Sequence, residues 1–152
     1  MRGSKGQAAI EFAIVIPFLL FFLFAATETG LLYTAKHCAD LGTFRAARSF
    51  RARRQQEAAS QALWRTIAPL ARRDTPESLS YISIFENSHA VEATTVFLYR
   101  PVFPVLPLAR LLGNTFLPEK HAAAVTEASA VKSWEEKLRS HVAIVSQVTL
   151  EK

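Results

Sequence analysis

The sequence Gly6-Gln7-Ala8-Ala9-Ile10-Glu11-Phe12 opens a long apolar run. From Phe12 through Thr27 the run contains no Lys, Arg, Asp or Glu. A helix rises about 1.5 Å per residue, so about 20 residues are needed to cross the ~30 Å hydrocarbon core of a bilayer. The run supplies that length if the helix extends to about Tyr33, whose amphipathic ring suits the far interface. The sequence therefore predicts a transmembrane helix over residues 7–33.

Two residues are unusual within this predicted span. A charged side chain such as Glu11 costs about 2.5–3.5 kcal/mol on insertion scales. Either Glu11 lies at the headgroup level, where the cost is small, or it has a functional partner in the membrane. Pro17 removes a backbone hydrogen bond and kinks a helix. The kink is either harmless or a flexible point that lets the helix pack or leave the bilayer.

The order Gly-Gln-Ala-Ala-x-Glu-Phe, followed by Ala13, Pro17 and a run of Leu and Phe, resembles the processing site of type IV prepilins. The resemblance is closest to the TadE-like family of tight-adherence (Flp) pilus systems. It implies that prepilin peptidase cleaves between Gly6 and Gln7 and removes residues 1–6 as a basic leader. Glycine suits such a site because it has no side chain to obstruct a close approach to the backbone.

The same resemblance gives Glu11 and Phe12 a role in assembly. After cleavage they would be the fifth and sixth residues of the mature chain. In pilins this acid is thought to meet the N-terminal amine of a neighbouring subunit, and a buried carboxylate is tolerated when it is paired. The implied partners are prepilin peptidase, other pilin or pseudopilin subunits and the inner membrane. The resemblance is strong over residues 3–33 and faint beyond them.

Two other interpretations of the N-terminal segment compete with this one. A secretory signal peptide has a shorter apolar core and a small-residue cleavage site, and Ala25-Ala26-Thr27 matches that site poorly. An uncleaved signal anchor, carrying an envelope binding or scaffold module, needs only hydrophobicity and is the main alternative. Arg2 and Lys5 lie on the short side of the span, which predicts a cytoplasmic N-terminus and an extracytoplasmic C-terminal domain.

Residues 34–73 are alanine-rich and predict a continuation of the helix as an amphipathic stalk. Pro69 is expected to end or bend it. Helical spacing places one apolar face at Leu31, Ala35, Cys38 and Leu41. A second apolar stripe follows at Ala58, Ala62, Leu63, Ile67 and Leu70.

The densest charge cluster of the chain also lies in this segment, at Arg45, Arg48, Arg51, Arg53 and Arg54. The simplest interpretation is a solvated helix face. A second is contact with anionic lipid headgroups near the membrane exit. A third is nucleic-acid binding, but no recognisable nucleic-acid module accompanies the cluster and the predicted location is wrong for it. We therefore expect no nucleic-acid partner.

The remaining residues, 74–152, predict a small α+β domain. A β-hairpin is expected over 79–100, with a turn at Asn87-Ser88-His89-Ala90 and one face of alternating residues from Val91 to Tyr99. Residues 121–132 suggest a third strand. Residues 133–147 have helical spacing, although residues 142–150 are also β-prone. The predicted fold is a long N-terminal transmembrane and stalk helix followed by a small antiparallel sheet.

Three prolines, at positions 101, 104 and 107, interrupt an apolar loop over 102–112. Their spacing argues against a strand interior. The loop either packs on the helix or forms a contact patch for a partner or the membrane surface. Similar proline-punctuated loops follow the second strand in TadE-like proteins, which weakly extends the resemblance.

Length and composition limit the remaining possibilities. The 152 residues suit one compact domain plus an anchor, and the formal net charge is +5. A single cysteine excludes an intrachain disulfide. The four histidines have no second ligand at zinc-like spacing, and no glycine-rich phosphate loop is present. We therefore expect no catalytic residues, metal, cofactor or small-molecule substrate, and predict a substrate of an enzyme rather than an enzyme.

Overall fold

The structure is a computed structural model that describes residues 4–71, 74–103, 122–134 and 136–151. Within these residues the chain is an α+β protein, as predicted. The α-helices are α1 (Ser4–Arg53), α2 (Gln56–Ala71), α3 (Pro76–Leu79) and α4 (Ala122–Lys132). The strands are β1 (Ser80–Glu86), β2 (Ala90–Tyr99) and β3 (Val142–Glu151), with a 3₁₀ turn at Lys137–Arg139 before β3.

Helix α1 dominates the molecule. Its 50 residues correspond to about 75 Å of helix, and it continues through Pro17. The N-terminal half of α1 projects from the domain, because its side chains from Gln7 to Phe24 are exposed. The C-terminal half packs against α2 and the sheet. One helix thus serves both as a projecting arm and as the spine of the folded domain.

The prediction of one continuous helix through residue 73 is wrong. Helix α1 ends at Arg53, and Arg54 adopts a left-handed conformation with φ 57°. Arg54 N–H donates to the carbonyl of Phe50 at 2.7 Å and closes the last turn. Helix α2 then runs back along α1, and Pro69 lies within α2 without ending it. The return buries two apolar stripes against each other, which a straight stalk would leave in water.

The face of α1 that meets α2 differs from the predicted one. Leu41 is 46% exposed, whereas Ala35 is buried as expected. The buried positions of this half of α1 are mostly small: Leu32, Ala35, Ala39, Thr43, Ala46 and Ala47. On α2 the buried positions are Ala59, Leu63, Ile67 and Ala71. Small side chains let the two helices approach closely, and that approach decides which face of α1 is covered.

The predicted hairpin is confirmed. Strands β1 and β2 pair antiparallel with Ile82 opposite Thr95, and Asn87 N–H donates to the Ala90 carbonyl at 2.9 Å in the turn. The predicted alternating face of β2, from Val91 to Tyr99, is buried. Strand β3 pairs antiparallel with the other edge of β2, which gives the order β1-β2-β3.

Two predictions for the C-terminal third are wrong. The predicted strand 121–132 is helix α4 from Ala122 onward, because five alanines in eleven residues favour a helix. The predicted helix 133–147 is also wrong. Ser133, with φ 53°, follows the last residue of α4, and β3 begins at Val142. The β-branched residues of β3 complete the sheet, and that pairing outweighs helical spacing. Of the proline-punctuated loop, only Pro101–Phe103 lie within the described residues.

Helices cover the sheet from both sides. Helices α1 and α2 pack on one face, and α4 contacts the other face beside Thr94 and Val96. Trp134 is buried, and its Nε1–H donates to the carbonyl of Ser78 at 2.9 Å. These layers place the end of β2, at Tyr99, beside the middle of α1, where the projecting arm begins.

Candidate functional site

The projecting half of α1 carries the first group of candidate residues. Among the described residues it is the one helix long and apolar enough to cross a membrane, and only 6% of its most apolar window is buried. The exposed large apolar side chains there are Ile10, Phe12, Ile14, Val15, Ile16, Phe18, Leu19, Leu20, Phe21, Phe22, Leu23 and Phe24. Such a surface is stable only against lipid or other protein, so the helix has the properties of a membrane anchor.

The structure brings two of the predicted site residues together. Gln7 Nε2 donates to Glu11 Oε1 at 3.1 Å, one helical turn apart. Gly6 directly precedes Gln7 within α1, and the Phe12 side chain next to Glu11 is exposed. The predicted cleavage point, before Gln7, and the predicted docking acid, Glu11, therefore lie one turn apart on the same exposed helix. Their proposed roles depend on partners outside this chain.

A second acid on α1, Glu28, forms a site that the sequence did not reveal. Its side chain is 1% exposed, although it directly follows the uncharged run that ends at Thr27. Glu28 Oε2 accepts hydrogen bonds from the backbone N–H groups of Val102 and Phe103, both at 3.1 Å. A buried backbone donor that has no acceptor costs about 1–3 kcal/mol, so these bonds favour this position of the segment. Glu28 thus holds the segment after β2 against α1, at the point where the exposed apolar half of that helix ends.

An aromatic contact lies directly below this carboxylate. The rings of Phe24 and Phe103 stack with centroids 4.8 Å apart and planes at 16°. Phe24 is one turn before Glu28 on the same helix. The two contacts together hold Phe103 by its backbone and by its ring. The only sequence signal was an acid just beyond the apolar run, because the partners lie more than 70 residues downstream.

Three of the five clustered arginines hold the far end of the domain together. Arg45 donates to Thr66 Oγ1 at 3.3 Å, Arg51 donates to the carbonyl of Glu151 at 2.8 Å, and Arg54 forms an ion pair with Glu86. The helix rise places even the first of them about 28 Å beyond Ala26. Contact of the cluster with lipid headgroups remains a prediction.

Arg48 and Arg53, the other two members of the cluster, are exposed on α1. They project from the same distal end of the helix as the three paired arginines. This arrangement is compatible with the solvated helix face that was the simplest interpretation of the cluster.

A small cavity of mixed polarity lies near the end of the sheet where β2 ends. It has a volume of about 290 Å³, and its lining includes Asp74, Arg100 and Val102. His141 is buried at this end of the domain, with Nδ1 2.9 Å from the carbonyl oxygen of Lys137. Burial lowers the pKa of His141, and the Lys137 carbonyl and Asp74 only partly oppose that effect. Protonation of this imidazole is therefore less favourable than that of a free one.

No group of three His, Cys, Asp or Glu residues lies close enough to hold a metal ion within the ranges that the structure describes. Three features distinguish the chain. They are the exposed apolar arm, Glu11 near its start, and the Glu28 clamp, by which we mean the two hydrogen bonds from Val102 and Phe103 to Glu28. Together they define a protein with one projecting anchor helix that continues into a small α+β domain.

Comparison with known proteins supports this class. Residues 6–48 match the family model of the TadE-like proteins, so the match covers α1 from the predicted cleavage site almost to its end. The resemblance drawn from the Gly-Gln-Ala-Ala-x-Glu-Phe motif is thereby confirmed over this segment. The TadE-like family is a structural, pilus-associated family and indicates the Tad/Flp pilus system. No curated protein and no solved structure matches the chain.

Proposed function

We propose that this chain is a structural and assembly subunit of a Tad/Flp pilus, a TadE-like pseudopilin rather than an enzyme. The observation that carries the proposal is the family match over residues 6–48, which includes the projecting helix. In this proposal prepilin peptidase cleaves between Gly6 and Gln7. The mature helix then joins, caps or primes a thin adhesive fibre.

The exposed arm supports the proposal in physical terms. A helix whose apolar side chains are uncovered by its own domain can leave lipid and pack against the same helix in other subunits. In such a helix bundle the Glu11 side chain would be shielded from water, and a shielded carboxylate needs a cationic partner. In this proposal the new α-amino group of a neighbouring subunit is that partner. The chain is inserted in the inner membrane with its N-terminus in the cytoplasm and its domain outside.

The test is the N-terminus of the mature chain. Full-length protein is expressed in cells with an active prepilin peptidase, and its intact mass is measured. We expect loss of residues 1–6 in the wild type and retention of them in Gly6→Val, because a side chain obstructs the peptidase. Gly3→Val is the matched control and should still be cleaved. An intact Met1 in the wild type contradicts the proposal and favours an uncleaved signal anchor with a binding or scaffold role.

A further inference from the structure

The contact with α1 determines how deep the segment Pro101–Phe103 lies relative to the membrane. A hydrocarbon core of ~30 Å corresponds to about 20 helical residues, which reaches from Gln7 to Ala26. Phe24 falls within that stretch, two residues before its end. Phe103 stacks on Phe24 with centroids 4.8 Å apart, so its ring lies at nearly the same depth. A longer span, to Tyr33, would place Phe103 deeper still.

The backbone N–H donors of this segment are suited to an apolar surrounding. Unpaired N–H groups are costly in lipid, so segments that enter it must satisfy their donors internally. Pro101 has no N–H. The N–H groups of Val102 and Phe103 both donate to Glu28 Oε2 at 3.1 Å. Every backbone donor of these three residues is therefore absent or paired.

The outward side of the segment is apolar and uncovered by the described residues. Val102 is 39% exposed and Phe24 is 36% exposed. Phe24 belongs to the exposed apolar surface of the projecting helix, and Val102, next to the stacked Phe103, continues that surface onto the domain. The carboxyl group of Glu28 is buried, at 1% exposure. The patch thus combines an apolar outer side with a buried carboxylate that fixes its position.

We propose that Pro101–Phe103 is a second membrane contact, which inserts Val102 and Phe103 into the outer leaflet of the bilayer beside α1. Glu28 holds the segment in place. The contact makes the domain rest on the membrane in a fixed orientation, instead of swinging on a free stalk. The occupant of the patch is lipid, because the patch is continuous with the membrane-spanning surface. This inference rests on the proposed insertion of α1 but not on its cleavage or assembly.

Depth-dependent quenching tests the contact. In a Cys38→Ala background, single cysteines are introduced as Val102→Cys, Phe22→Cys and Phe85→Cys and labelled with the fluorophore NBD. The full chain is reconstituted in phosphatidylcholine vesicles that carry a nitroxide high on the acyl chain. Phe22 reports on the anchor, and Phe85, 66% exposed at the far end of β1, reports on the water-exposed part of the domain.

We expect the probe at Val102 to be quenched by the lipid nitroxide several-fold more than the probe at Phe85, and to resist a water-soluble quencher. Quenching equal to that at Phe85 would overturn the proposal while a quenched Phe22 probe leaves the anchor intact. Shielding of the Val102 probe from both quenchers would mean that protein covers it, which also overturns the proposal. If Phe22 is not quenched, the anchor and the contact both fail.

A second variant tests the role of Glu28. Glu28→Ala removes the acceptor of both N–H groups, so the Val102 probe should lose most of its quenching by lipid while the Phe22 probe keeps its own. Thr27→Ala is the matched control, because Thr27 is adjacent and exposed and its hydroxyl donates to the Leu23 carbonyl within α1. Unchanged quenching at Val102 in Glu28→Ala would overturn the holding role of Glu28.

Discussion

Gly42 on α1 lies so close to Leu63 on α2 that a Cβ at position 42 would be 2.8 Å from Leu63 Cδ1. Leu63 is fully buried and has little room to move. Alanine at position 42 would gain about 1 kcal/mol of helix propensity, but overpacking a core typically costs about 1–3 kcal/mol. We expect Gly42→Ala to lower the free energy of unfolding by roughly 1 kcal/mol, and Gly42→Val to lower it more, in thermal melts of the full chain in detergent.

Gly30→Ala is the matched control, because nothing lies within 4 Å of a Cβ there. It should leave the melting temperature unchanged or raise it. Leu63→Val removes the atom that the new methyl meets, so the double variant with Gly42→Ala should be less destabilised than the sum of the two single variants. Equal stability of Gly42→Ala and Gly30→Ala would refute the close approach.

The clamp at Glu28 predicts a local effect on backbone protection. Glu28→Ala leaves the N–H groups of Val102 and Phe103 without their acceptor, and an unsatisfied buried donor costs about 1–3 kcal/mol. We expect amide hydrogen exchange at both positions to accelerate by roughly tenfold or more. Glu28→Gln keeps an oxygen acceptor without the charge and should accelerate exchange less. Exchange that is equally slow in Glu28→Ala would show that the loop is held by the Phe24–Phe103 stack instead.

The docking role of Glu11 predicts a separation of insertion from assembly. Glu11→Gln keeps the size of the side chain and an acceptor for Gln7, but it cannot pair as a charge with an amine. Insertion should be unimpaired, because a charge within a bilayer is unfavourable. We expect normal amounts of cleaved protein in the membrane fraction and at least a tenfold loss of co-purification with other pilin subunits and of surface fibres. Glu57→Gln, an exposed acid at the start of α2, is the control. Normal fibres in Glu11→Gln would exclude the docking role.

His141 predicts a pH dependence of stability. Burial lowers its pKa in the folded protein, so below about pH 6.5 the unfolded chain binds more protons at this residue than the folded chain. Its contribution is fully present above pH 6.5 and is lost as the pH falls through the lowered pKa. Asp74, Arg100 and Lys137 surround the ring electrostatically, and burial is the largest influence.

We therefore expect the denaturant midpoint of the full chain in detergent to fall between pH 7.5 and 5.5. The fall should be smaller in His141→Asn, whose amide nitrogen can replace Nδ1 as donor to the Lys137 carbonyl. His89→Asn, at the exposed hairpin turn, is the control and should retain the wild-type fall. A midpoint in His141→Asn that falls as steeply as in the wild type would assign the pH dependence to other groups.

Local features of the sequence determined the anchor and the hairpin. The uncharged run from Phe12 to Thr27 specifies a helix in lipid, since a single apolar segment satisfies its own backbone there only as a helix. The alternation from Val91 to Tyr99 and the turn at Asn87 specify a hairpin between neighbouring segments. The prepilin-like motif likewise lies within seven consecutive residues, so a single stretch identified it.

Tertiary structure decided the features that depend on distant partners. The chain reverses at Arg54 because α2 buries its apolar face against the alanine-rich face of α1. The residue type at position 54 does not predict this reversal. The helix α4 and strand β3 were exchanged in the prediction, because β3 is specified by an open edge of β2 rather than by its own periodicity. In the sequence, Glu28 is only an isolated acid that follows an apolar run. Its role appeared when the fold returned Val102 and Phe103 to it, since a hydrogen bond across 74 residues is set by the whole chain rather than by local spacing.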